Sequence, residues 1–303
     1  MPSGSDSAAS DSGKLTKLKV GVLPISAMAP LYLGQERGIF ARHGLDIEPV
    51  VAQSGAAIVP AVLSGDQQFG FANVVSLMVA RDKGLPMKIV AQGSSSGPGP
   101  SQRFEAVIVK GDSPIRSPRD LEGKTMSVNA LNDIGGVVIS AALQKLGVDT
   151  RTIRFVEIGF PDANAALDAG RIDAAYQGEP FLRQALDSGD RAVLYQDPVL
   201  GRQVAVADYF TSEQEQQQNP DVVRAFRAAM DESLEYANAH EDEAREITTR
   251  ITSVPESIAQ RMVMPGWDPN LDPDTSGLSL VGDLALRAGL IRRAPDYSTM
   301  FAN

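Results

Sequence analysis

The chain has 303 residues, 43% hydrophobic and 22% charged, a composition ordinary for a soluble globular protein and a length that suits about two domains. Its 28 Lys and Arg against 38 Asp and Glu leave a formal charge of −10 with no run of Lys and Arg longer than two, which excludes the concentrated basic face that nucleic-acid phosphates require. The absence of cysteine and the presence of only two histidines, His43 and His240, exclude disulfides, thiolate catalysis and the usual zinc sites, so no metal or cofactor is expected, and no window approaches the ~18 apolar residues of a membrane span.

Residues 1–17, MPSGSDSAASDSGKLTK, are rich in Ser, Gly and Asp and cannot bury enough apolar area to offset the entropy of ordering them. They are expected to form a flexible leader. The segment lacks the apolar region of a signal peptide. A Ser/Gly/Asp tether directly ahead of a first strand resembles the start of a mature bacterial lipoprotein just after its lipidated cysteine. The alternative is a tail added for expression.

From Leu18 short apolar runs alternate with helical segments. Candidate strands lie at Leu18–Leu23, Asp46–Val51, Phe69–Ala72, Lys88–Ala91, Glu105–Val109, Thr125–Val128, Ile153–Glu157, Ala174–Tyr176, Ala192–Tyr195 and Val204–Ala207. Many are separated by one to four helical turns, the pattern of parallel sheets with crossover helices. Ile139, Ala142, Leu143 and Leu146 carry the spacing of one helix face. After Ala207 the strands stop, and from Pro220 the residues Val222, Phe226, Met230 and Leu234 repeat every four positions along a helix.

This layout predicts an α/β protein of two lobes with a ligand cleft between them. Residues 18–108 and 203–303 are assigned to the first lobe and residues 109–202 to the second, with Glu105–Asp112 carrying the chain across. No internal repeat of solenoid period is present, and the halves resemble each other in their α/β rhythm alone.

Four stretches in sequence carry a family resemblance: "PLYLGQERGIFARHGLDIEPV", "VPAVLSGDQQFGFANVVSLMVARDKGLPMKIVAQ", "VKGDSPIRSPRDLEGKTMSVN" and "ALDAGRIDAAYQGEPFLRQA". Together they cover roughly residues 18 to 200 and resemble the nitrate/sulfonate/taurine and thiamine-precursor group of substrate-binding proteins of ABC importers. The resemblance implies a two-lobed type II periplasmic-binding-protein fold that closes on a small molecule at the lobe interface. It further implies an ABC transporter permease as partner and a location in the periplasm or outside the cell. Membrane contact is then expected only through a lipid tether, and the chain is expected to be a monomer.

Candidate ligand contacts follow along the chain. The loop after the first strand offers Ser26 and Ala27, with helix capping as the alternative role of Ser26. Ser54-Gly55-Ala56-Ala57 opens a helix whose free N–H groups make a recess for an anion or carbonyl, so Gly55 and Ala56 are assigned to the site. Asn73 and Ser76 are carried over from the resemblance, although Asn73 also suits a helix N-cap. Ser94 and Arg103 flank an unusual Ser/Gly/Pro stretch near the crossing, where a guanidinium can clamp a carboxylate or sulfonate or lie on the surface.

In the second lobe Asn132, Asp133, Gly135 and Gly136 stand at a helix start that favours an oxyanion, unless Asp133 itself occupies the donors. Gln177, Glu179 and Tyr176 belong to the turn that closes the cleft, with a hinge pairing as the alternative for Glu179. Trp267, the only tryptophan, suits lobe packing or ligand stacking.

No Ser-His-Asp order, Walker loop or dinucleotide fingerprint appears, and the cysteine-dependent pyrimidine synthases of this fold are excluded. A non-catalytic binder of a small organic anion, a sulfonate or carboxylate, aromatic or not, is expected. The alternatives are an enzyme of the same fold acting on a small anionic metabolite and a binder of a thiamine-precursor pyrimidine.

Overall fold

The structure is a computed structural model and describes residues 14–96, 103–195, 203–269, 272 and 277–302. Every expected strand is present. The first sheet takes β1 (Thr16–Val22), β2 (Leu45–Val51), β3 (Phe69–Asn73), β4 (Met87–Ser95) and β10 (Ala205–Ser212), in the order β2-β1-β3-β10-β4. The second takes β5 (Glu105–Val109), β6 (Thr125–Val128), β7 (Arg154–Glu157), β8 (Ala174–Gly178) and β9 (Arg191–Tyr195), in the order β7-β6-β8-β5-β9. β1 runs parallel to β2 and β3, and β10 runs antiparallel to β3 and β4. β6 likewise runs parallel to β7 and β8, and β5 antiparallel to β8 and β9.

The two sheets therefore share one plan, in which a strand arriving from the other lobe is inserted antiparallel beside the edge strand. This likeness goes beyond the shared rhythm expected from the sequence. It also moves the boundary. Residues 105–108, placed with the first lobe, pair within the second sheet, because Glu105–Val109 is the inserted strand and not the crossing.

Patterning explains which strands are central. β10 reads AVADYFTS and is buried at every position, so neither face meets water. Behind it the long helix Pro220–Ala239 buries Val223, Phe226, Ala229, Met230, Leu234 and Ala237 along one stripe. Phe226 stacks on Phe69 with centroids 3.9 Å apart and meets Tyr209 edge-on at 5.8 Å, tying that helix to β3 and β10. The C-terminal region is not confined to one lobe. Val254 and Ile258 bury against the core of the second sheet, whereas Ala259, Met262 and Met264 join that of the first. Trp267 is also buried in the first core, with its carbonyl accepting from Asn238 Nδ2, and so serves packing.

Asp208 places a buried carboxyl inside the first sheet. It sits on β10 between Ala72 of β3 and Gln92 of β4, with no exposure to solvent. Neither of its oxygens nor Gln92 Oε1 has a hydrogen-bond partner. Burial pushes its pKa up to about 8, and the Gly93 N–H opposes the shift without meeting hydrogen-bond geometry. The folded chain thus keeps a proton that the unfolded chain releases near the ordinary carboxylate value, so this residue lowers stability as pH rises through roughly 4 to 8. Asp208→Asn, which cannot ionise, is expected to melt several degrees above the wild type at pH 8 and to show a flatter profile of Tm against pH. Parallel profiles for the two proteins between pH 5 and pH 8 would contradict this assignment.

Candidate functional site

Where the carboxyl ends of the parallel strands of both sheets face each other, a cavity of about 50 Å³ lies between the lobes. The first lobe contributes Leu23, Ile25 and Ala27 from the loop after β1, Phe71 and Asn73 from β3, Ser94 from β4, and Val206 and Ala207 from β10. Gly55, the first residue of helix α3 (Gly55–Leu63), completes that side. A Cβ at Gly55 would lie 2.8 Å from the Ala72 backbone, so only glycine lets the start of α3 press on β3 beside the cavity. From the second lobe come Phe104, Glu105, Asn129, Asp133, Ile134, Phe160 and Tyr176.

The lobes touch through defined polar contacts. Ser26 Oγ donates to the Glu179 carbonyl at 3.1 Å, and Asn129 Nδ2 donates to the Gln53 carbonyl at 3.3 Å. The Glu179 carboxylate accepts from the N–H of Val263 at 3.1 Å and of Arg183 at 2.9 Å, while its own N–H donates to the Phe104 carbonyl at 2.9 Å. Ser26 and Glu179 are both almost wholly buried, so they act at the lobe contact and not on the cavity wall. Burial pushes the Glu179 carboxyl up to about 7 against the pull of the Val263 and Arg183 N–H groups and of the Arg183 and Arg245 charges.

The helix start at Ile134–Lys145 is occupied by the protein itself. Asp133 caps it, Oδ1 accepting from Gly136 N–H at 2.8 Å and Oδ2 from Ala130 N–H at 3.3 Å. Asn73 Oδ1 reaches across the cleft to Ile134 N–H at 3.2 Å and also accepts from Ser76 N–H at 2.9 Å, while Asn73 Nδ2 donates to Ser76 Oγ at 2.9 Å. The self-capping alternative therefore describes this turn, and Asn73 fills its expected helix N-cap role while also bonding the second lobe. Burial, aided by the neighbouring Glu157 charge, raises the Asp133 carboxyl to about 6 although the N–H groups of Gly136, Ala130 and Asp133 itself oppose it.

Gly135 faces the ring of Tyr176, and a Cβ there would lie 2.3 Å from it. Close packing of a helix on a ring, and not space for an anion, thus explains this glycine.

Of the residues assigned from sequence, Ala27, Gly55, Asn73, Ser94 and Asp133 lie on the cavity wall, with Tyr176 beside them. Ala56 and Asn132 are exposed, and Asn132 supplies a left-handed turn with φ of +63°. Gln177 is spent inside the second lobe, where Nε2 donates to the Phe160 carbonyl at 3.0 Å and to Asn164 Oδ1 at 2.8 Å. Arg103 lies with its guanidinium over the Tyr195 ring at 4.8 Å, which joins the residue leading into β5 to the last residue of β9. Ser76 and Gly136 support the wall through Asn73 and Asp133 without forming it.

Phe71, Phe104, Glu105, Asn129 and Phe160 were not singled out by sequence reasoning. Asn129 had a usable signal, since it follows the last residue of β6 as Asn73 closes β3. The phenylalanines had none, because apolar residues near strand ends are otherwise read as core.

Two lobes of one strand plan, crossed twice by the chain, enclose a cavity at the strand ends, and this defines a two-lobed α/β fold with a cleft between the lobes. Residues 26–244 match the family described as NMT1/THI5 like, and the chain belongs to that family. The taurine-binding periplasmic protein of Escherichia coli (strain K12) is 28% identical over 215 residues, covering 68% of this chain and 63% of that protein. A formylaminopyrimidine-binding protein of Halalkalibacterium halodurans is 25% identical over 144 residues, covering 48% of this chain and 41% of its own length. The chain thus spans less than two thirds of the length of these curated relatives. Among solved structures, the alkanesulfonate-binding protein of Xanthomonas axonopodis pv. citri bound to MOPS superposes with a TM-score of 0.74 at 18% identity, covering 93% of this chain and 95% of that one. The ligand-binding component of an ABC-type import system from Staphylococcus aureus gives 0.80 at 18% identity, covering 94% and 96%.

Gly135→Ala is expected to cost about 1–3 kcal/mol of stability, as overpacking against a buried ring does. Chemical denaturation measures it, and a loss below about 0.5 kcal/mol would mean that the Tyr176 ring yields freely, as a surface side chain does.

Proposed function

We propose that this protein is the solute-binding component of an ABC importer, working outside the cytoplasmic membrane and delivering a small organic anion, a sulfonate or a carboxylate, to a permease. The observation that carries the reading is the cavity enclosed by both lobes at the strand ends. At roughly 10–15 Å³ per water-sized occupant, about 50 Å³ admits some four such groups, the scale of a very small organic molecule. The acid end is assigned to the start of α3. Gly55, the first residue of that helix, lines the wall, and the one side-chain cap there is Ser54 Oγ on the N–H of Ala57 at 3.3 Å, so a first-turn N–H of the helix is the proposed donor. The functions named for the taurine- and alkanesulfonate-binding relatives support this class of ligand. A thiamine-precursor pyrimidine has the four aromatic side chains of the wall in its favour and the size of the cavity against it.

Binding of this kind requires closure and release and no bond-making chemistry, so the protein is read as a binder and not an enzyme. It is proposed to act as a monomer, held at the membrane by a lipid on a cysteine preceding the Ser/Gly/Asp leader. Mass spectrometry of the native protein is expected to find that lipid, and a native chain free of it would remove the tether.

A thermal-shift screen over sulfonates, carboxylates, nitrate and pyrimidines tests the ligand class. A true ligand at 100 times its Kd adds about 2.7 kcal/mol of stability, enough for a shift of several degrees. Small sulfonates or carboxylates are expected to give it. A shift from pyrimidines alone would overturn the anion reading.

A further inference from the structure

Asp133 presents an unusual electrostatic situation. It is 3% exposed, it stands on the cavity wall, and no Lys, Arg or His forms an ion pair with it among the described residues. The charge nearest in effect is Glu157, of the same sign. The wall holds a second carboxylate, Glu105, and no cationic side chain among the described residues. Two backbone N–H groups hold Asp133 in place, one on each oxygen. Each carboxylate oxygen accepts more than one hydrogen bond, so these two N–H groups do not saturate the carboxylate. A buried carboxylate without a cation is costly, and the usual remedy is a partner of opposite charge.

The rest of the wall suits the same partner. Phe71, Phe104, Phe160 and Tyr176 come from both lobes, and Phe160 and Tyr176 lie with centroids 6.2 Å apart and planes inclined at 55°. Aromatic faces attract cations and alkylated ammonium groups, the more strongly where water is excluded.

We propose that Asp133 is the specificity-determining residue of the cleft and that it reads a cationic nitrogen, an ammonium or alkylated ammonium, on the bound molecule, with the aromatic side chains enclosing it. This rests on the binder reading above and deepens it. With the acid group at α3, the ligand becomes a small zwitterion. Closure then does two things at once, since the second lobe supplies the carboxylate for one end and the first lobe the N–H for the other.

The test compares two probes that differ at that nitrogen alone: taurine, with an ammonium group, and 2-hydroxyethanesulfonate, with a hydroxyl in its place. Calorimetry at pH 7 is expected to show taurine binding at least tenfold more tightly. In Asp133→Asn that ratio is expected to fall to within twofold of one. The asparagine oxygen still accepts from Gly136 N–H, so the cap survives, and the melting temperature verifies folding. Phe160→Leu, which removes a ring and leaves Asp133 in place, is expected to reduce the ratio at least threefold, and it decides the matter should the Asp133 variant not fold.

Equal affinity for the two probes in the wild type, or an unchanged ratio in a folded Asp133→Asn, would overturn the assignment while leaving an anion binder standing. No binding of either probe would overturn the zwitterion, and the wider screen then decides separately whether the binder reading survives.

Discussion

The antiparallel pairing of β10 with β3 and β4 is the constraint on which the rest of the structure depends. β10 follows the whole second lobe in sequence, yet it fills the gap between two strands of the first sheet. The chain must therefore cross between lobes twice. The same device recurs in the second sheet, where β5 arrives from the first lobe and lies between β8 and β9. Each lobe is completed by a strand delivered through a crossing, so neither sheet can be finished without fixing the position of the other.

The first-lobe ends of the crossings are clamped together. Ser96 N–H donates to the Val204 carbonyl at 2.8 Å, Val204 N–H returns a bond to Ser96 Oγ at 3.0 Å, and Gln203 Nε2 donates to Ser95 Oγ at 2.7 Å. Gly266 pairs with Ser95 through bonds of 2.8 and 3.0 Å, so the segment that reaches Glu179 through Val263 is anchored at the same place. This strap joins the lobes alongside the crossings. Arg261 adds an ion pair to Asp187, an exposed contact worth little by itself. The energetic weight lies with buried groups, where Glu179 and Asp133 are carboxyls held at the contact between the lobes and raised in pKa by burial.

Much of the fold was legible in the sequence because short apolar runs and turn residues mark parallel-sheet strands directly. Ala174–Tyr176 and Thr125–Val128 needed little or no correction against the observed β8 and β6. What was not legible was pairing. Glu105–Val109 has the same composition whether it spans a gap or fills a sheet, and only its partners on β8 and β9 settle which. Val254 and Ile258 could not be placed in the second core, because a helical C-terminal third says which residues are buried and not against what.

The site was legible where chemistry follows from the backbone. Asn73 and Asp133 are N-caps at strand–helix turns, and such turns are recognisable from residue type and spacing. Gly135 was identified for the wrong physical reason, since its partner is the Tyr176 ring. Arg103 suits an anion by residue type, because guanidinium groups often bind them, but its geometry includes a ring contact with Tyr195. The aromatic wall was invisible beforehand because the rings of Phe104 and Phe160 come together only through tertiary packing.

The central claim is that two lobes, joined by two crossings and a strap, close around a small molecule. Small-angle X-ray scattering of the free protein, and of the protein saturated with the sulfonate or carboxylate that stabilises it most, tests this most directly. The account predicts a smaller radius of gyration with ligand, and a bound-state scattering curve that matches the closed arrangement described above. An unchanged radius at saturation, with a free-state curve that already matches the closed form, would contradict it.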